Sequence, residues 1–98
     1  TSSINMWVGQ MYSSTDSENI LIKGNNLKSN YRNILLVRTK KAKIVDNNLY
    51  ATDWSILTDQ TEDIKIIGNM AHINTIFFLN QTNDTGVVLE NNFFDINN

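Results

Sequence analysis

Ile20-Leu21-Ile22-Lys23-Gly24-Asn25-Asn26-Leu27 returns, with changed side chains but the same order of chemistry, as Ala42-Lys43-Ile44-Val45-Asp46-Asn47-Asn48-Leu49. It returns again as Ile64-Lys65-Ile66-Ile67-Gly68-Asn69-Met70-Ala71 and as Val87-Val88-Leu89-Glu90-Asn91-Asn92-Phe93-Phe94, at offsets of 22, 22 and 23 residues. One column of the alignment reads Ile22, Ile44, Ile66, Leu89, a second Asn25, Asn47, Asn69, Asn92, and a third Leu27, Leu49, Ala71, Phe94. Between these blocks Ile34, Ile56 and Phe78 recur at the same spacing, with Leu35, Leu57 and Leu79 beside them. Each apolar run is strand-sized and rich in β-branched residues, and no long window carries a helical stripe. A unit of about 22 residues with two or three short strands fits one coil of a parallel β-solenoid. Equivalent residues of successive coils then stack at the strand spacing of about 4.8 Å.

Stacking gives the asparagine column a physical reason. At the bend after each aliphatic residue a short amide can satisfy turn backbone and bond to the amides above and below. Loop preference alone explains why the chain holds sixteen asparagines, but not why four of them share a register. The absence of proline agrees with uninterrupted strand ladders.

Composition narrows the function classes. A chain of 98 residues builds one small domain. Residues 1–98 therefore read as a single β-helix domain, with 1–19 a partial first coil or cap and 20–98 the regular coils. Ten acidic against eight basic residues, net charge −2, disfavour a broad nucleic-acid surface. Without cysteine there is neither a disulfide framework nor a thiolate metal site. No apolar run reaches the length of a membrane span, so membrane insertion is not expected. No phosphate-binding loop or metal-ligand spacing is present, and no cofactor or metal is expected.

The pattern of an aliphatic residue, two variable residues, asparagine, one variable residue and an apolar residue occurs at Ile22 to Leu27, Ile44 to Leu49, Ile66 to Ala71 and Leu89 to Phe94. In this the chain resembles the right-handed parallel β-helix, pectate-lyase-like superfamily, which includes many bacteriophage tailspikes and depolymerases. The resemblance implies an all-β, right-handed parallel β-helix of about four to five coils. It also implies a structural and receptor-binding segment of a virion or extracellular fibre, homo-oligomeric with a trimer favoured, and contact with surface polysaccharide. A fragment of a polysaccharide lyase or glycosidase, or a non-catalytic adhesin, is the alternative. Four or so coils with an open apolar end call for a partner chain, a trimeric assembly or a larger parent protein.

Candidate sites follow from the register. Glu18, Lys40, Glu62 and Asp84 fall in one turn column at 22-residue spacing. Because glycosidases need two carboxyls about 5 to 9.5 Å apart, Glu62 with Asp84 is the first catalytic pair to consider, and Asp59 with Asp63 the second. Lys28, Tyr50, His72 and Asp95 form an outward polar and aromatic column suited to a glycan. Tyr31, Arg32, Asp53 and Trp54, continued by Thr75 and Ile76, combine arginine with aromatic area as subunit contacts do. Trp7 is expected to cover an open solenoid end, and Arg38 to Lys43 is the one basic run, a solvated turn or a contact for an acidic glycan. Asn80-Gln81-Thr82 and Asn83-Asp84-Thr85 match the N-glycosylation triplet.

Overall fold

The computed structural model describes residues 4–9, 16–28, 31–73, 76–80 and 84–96. The calls on Ser13-Ser14-Thr15, on Thr75, on the two glycosylation triplets and on the side chains of Ile76 and Asp95 lie at least partly outside them.

Each repeat folds as three short strands. They are β1 (Ile4–Val8), β2 (Ser17–Lys23) and β3 (Asn26–Lys28); β4 (Arg32–Val37), β5 (Thr39–Val45) and β6 (Asn48–Ala51); β7 (Trp54–Asp59), β8 (Glu62–Ile67) and β9 (Met70–Ile73); and β10 (Ile76–Asn80), β11 (Thr85–Glu90) and β12 (Phe93–Ile96). Every strand pairs in parallel with its equivalent one repeat away. The sheets are therefore β1-β4-β7-β10, β2-β5-β8-β11 and β3-β6-β9-β12. The result is a right-handed parallel β-helix of four coils.

The apolar columns read from the sequence line its interior. Ile22, Ile44 and Ile66 are buried on the second sheet, with Ala42 and Ile64 two residues earlier. Ile34 and Ile56 from the first sheet, and Leu49 and Ala71 from the third, close the same core. The small Ala71 and the large Phe77 belong to the same buried cluster.

The strands end where the backbone turns left-handed. Gly24, Asp46, Gly68 and Asn91 carry φ of 68°, 54°, 67° and 54° and form the corner column between the second and third sheets. Asn19, Lys41, Asp63 and Gly86 form another, with φ of 59°, 57°, 60° and 66°, bending every strand of the second sheet at one level. That bent residue drops out of the pairing, which runs Glu18 with Lys40 and then Ile20 with Ala42. Glycine, asparagine and aspartate occupy such positions at least cost, which is why polar residues interrupt each apolar run at fixed places.

Candidate functional site

The asparagine ladder is complete over four rungs. Asn25, Asn47 and Asn69 each donate both the backbone N–H and Nδ2 to the Oδ1 of the next rung, at 2.9 to 3.2 Å. The second Nδ2 hydrogen of Asn47, Asn69 and Asn92 goes to the carbonyls of Ile22, Ile44 and Ile66, at 3.0, 2.9 and 2.9 Å. Asn47 and Asn69 are buried, so these bonds replace water and are structural.

Beside the ladder, on the third sheet, Lys28, Tyr50, His72 and Asp95 occupy one register column. Tyr50 and His72 stack with centroids 4.5 Å apart and planes 11° from parallel. The Lys28 ammonium lies 5.2 Å from the Tyr50 ring centre, from the coil on the other side. Both faces of Tyr50 are thus occupied within the column, and what it offers solvent is its edge and hydroxyl.

The first sheet carries the expected contact group in altered form. Arg32 pairs with Asp53 at 3.1 Å and lies 5.9 Å from the Tyr31 ring centre and 5.6 Å from that of Trp54. Trp54, however, keeps only 6 % of its surface exposed, so it adds little area to any subunit contact, whereas Tyr31 is exposed. Ile76 continues their register. Trp7 pairs in register with Leu35 on β4, and it is 59 % exposed.

The carboxylate column needs correction. Glu62 pairs with Thr85, not with Asp84, because one extra residue enters between Asn80 and Thr85: Asn80 still lies opposite Thr58, at an offset of 22, while Thr85 is offset by 23. Asp84 instead accepts hydrogen bonds from Thr58 Oγ1 (3.0 Å), Thr61 N–H (2.8 Å) and Thr61 Oγ1 (2.6 Å). It ties the corner of one coil to the next. Glu62 stays exposed, 3.9 Å from Lys40. Asp59 and Asp63 flank the corner at Gln60 and Thr61, on different strands. Among the described residues no group of three or more His, Cys, Asp or Glu could hold a metal.

One charged surface does assemble. On the outer face of the second sheet Lys43 and Lys65 are direct register partners, flanked in their column by Leu21 and Val88. Lys41 projects from the bend of the same coil as Lys43, and Lys23 from the coil before. Asn19, Ile20, Leu21, Lys23, Lys41, Lys43 and Val45 line an open depression of about 420 Å³. Among the described residues none of Lys23, Lys41, Lys43 or Lys65 has an acidic partner within 4 Å. Arg38 and Lys40, by contrast, share Asp16, each at 3.4 Å. The basic run read from the sequence is thereby divided: its start is neutralised at a corner, and its end joins lysines one repeat away. Like charges opposite each other in a sheet are destabilising, and Lys43 opposite Lys65 is such a pair.

No family model matches the chain, and neither a curated protein nor a solved structure is significantly similar to it.

Proposed function

We propose that this chain is a non-catalytic structural segment of an extracellular or virion fibre, and that its second sheet contacts an acidic surface polysaccharide. The single observation carrying the reading is the cationic outer face made by Lys23, Lys41, Lys43 and Lys65, with apolar Leu21 and Val45 beside the charges. Saccharide rings have apolar C–H faces and, when acidic, regularly spaced carboxylates; a face that sets lysines beside aliphatic side chains complements both. The lysines fall on three successive coils about 4.8 Å apart, which suits a polymer better than a single small anion. The resemblance to the right-handed β-helix family supports the same direction, since tailspikes of that family meet polysaccharide. A non-catalytic role is supported by the use of Asp84 in three corner hydrogen bonds and by its separation in register from Glu62.

Lateral homo-oligomerisation, with a trimer favoured, is part of the proposal, supported by the outward Trp7, Leu35 and Leu57 column and by exposed Tyr31. Titration calorimetry with a polyuronate and with a neutral dextran tests the glycan reading. Binding of the polyuronate alone, weakened by salt and reduced roughly tenfold in Lys43→Ala/Lys65→Ala, is the expected result. Equal binding of both polymers, or of neither, refutes it.

A further inference from the structure

The cationic face ends at a corner of opposite character, and we infer that the groove along this corner holds uncharged, hydroxyl-bearing sugar units of a polymer whose acidic units lie on the lysines. The inference rests on the cationic face being a polysaccharide contact, and it names the kind of polymer: one in which neutral residues adjoin acidic ones.

Gly24, Asn26, Asp46, Asn48, Gly68 and Met70 line an open groove of about 360 Å³ along the corner between the second and third sheets. Lys23 and Val45, which line the lysine depression, are the chain neighbours of Gly24 and Asp46, so the two depressions meet along one edge on two successive coils. Lys43 and Asp46 are three residues apart, about 10 Å of extended chain. A ligand longer than one sugar ring reaches both.

The fold alone does not account for the lining of this groove. Asn25 and Asn47 beneath it serve the ladder, and Asp46 serves its left-handed bend. Asn26 and Asn48 serve neither. They are the first residues of β3 and β6, on the opposite face from Leu27 and Leu49, which pack into the core, and they occupy extended positions where asparagine is disfavoured. Asn48 Nδ2 reaches Asn26 Oδ1 and the Tyr50 hydroxyl at only 3.5 and 3.4 Å. Among the described residues the Asn26 Nδ2, the Asn48 Oδ1 and the Asp46 carboxylate have no hydrogen-bond or ion-pair partner. A Cβ on Gly68 would lie 2.6 Å from Asp46 Oδ1, so it is the absence of a side chain there that lets the carboxylate lie over the next coil.

This set of groups selects its ligand. A carboxylate only accepts hydrogen bonds, while amides both donate and accept, so the row matches hydroxyl groups. An acidic sugar unit in the groove would set its own carboxylate beside that of Asp46, and the lysines next door disfavour a cation. Exposed Met70 adds an apolar surface for the C–H face of a ring.

Titration calorimetry with polygalacturonate, and with the same polymer half methyl-esterified, separates the groove from the lysines, because esterification removes charge and keeps the hydroxyls. The wild type should bind the half-esterified polymer at least as tightly as the fully acidic one. Asn26→Ala/Asn48→Ala should weaken binding of the half-esterified polymer roughly fivefold and leave the fully acidic one within about twofold. Asn26→Ala alone, at an exposed position whose amide makes one long hydrogen bond, should act in the same direction by a smaller factor, with far-UV circular dichroism checking the fold of both variants. A wild-type affinity that falls as charge is removed overturns the inference and leaves the cationic face standing, as do asparagine variants that change neither polymer or both alike. Failure of the wild type to bind either polymer removes the cationic-face reading and this inference with it.

Discussion

A single amide shows how much of this fold rests on stacking. Asn69 is fully buried, gives its N–H and Nδ2 to Asn92 and its other Nδ2 hydrogen to the Ile44 carbonyl, and accepts two hydrogens from Asn47. Asn69→Ala strips partners from the Asn47 N–H and the Ile44 carbonyl, neither of which water reaches easily. The expected loss in urea denaturation is about 2–4 kcal/mol. Asn25→Ala, at the end of the ladder where the amide is only half-buried, should cost about 1 kcal/mol. Asn69→Asp should give no rescue at neutral pH, because a carboxylate cannot donate and would face the Ile44 carbonyl. Equal losses at the two rungs would show that the ladder does not act as a stack. Recurrence made this role legible in the sequence. Asn33 is equally buried and its Nδ2 bonds to Asn5 Oδ1 and to the carbonyls of Leu27 and Tyr50, at 3.0, 3.3 and 2.8 Å. Its column runs Asn5, Asn33, Ser55, Phe77, and the one other asparagine in it lies 28 residues away rather than 22, so the 22-residue pattern does not announce it.

At the scale of strands and corners, the left-handed residues decide where each element stops. Gly9 has φ of 91°, and a Cβ there would run into the Val37 carbonyl of the neighbouring strand. Gly24 has φ of 68°, with nothing within 4 Å of the same added atom. Gly9→Ala should therefore destabilise by about 2–4 kcal/mol, against about 1 kcal/mol for Gly24→Ala, measured by thermal unfolding. Similar losses would mean that the first coil yields to remove the collision. Lys41 is the poorest fit in its column, a long side chain at φ 57° where Asn19, Asp63 and Gly86 stand in the other coils. Lys41→Asn should raise stability by up to about 1 kcal/mol while weakening polyuronate binding; a loss of stability would indicate that the lysine makes a contact worth more than the strain. Strand identity and inward columns were readable from apolar periodicity, since a buried position repeats whatever the loops do. The extra residue before Thr85 was not, because turn residues obey no such constraint, and a column drawn at fixed spacing placed Asp84 over Glu62 when it belongs beside Thr61.

For the whole molecule, each coil touches only its neighbours, and stability becomes a sum of coil and interface contributions. The cationic face belongs to this scale. Its lysines are scattered as residues 23, 41, 43 and 65, and only three-sheet stacking joins them while removing Arg38 and Lys40 to Asp16. The sequence showed a basic run but could not divide it, because the bend at Lys41 resets which side chains face outward. The same one-dimensional logic sets a gradient of protection. Ile44 and Ile66 are buried between coils on both sides, whereas Leu89 in the same column is covered from one side only. Ile44→Ala should cost about 2–5 kcal/mol by leaving a cavity, and Leu89→Ala less than about 1.5 kcal/mol. Amide hydrogen exchange at low protein concentration should be slowest in β5 and β8 and fastest in β11 and β12, since the outer coil can open without disturbing the inner ones.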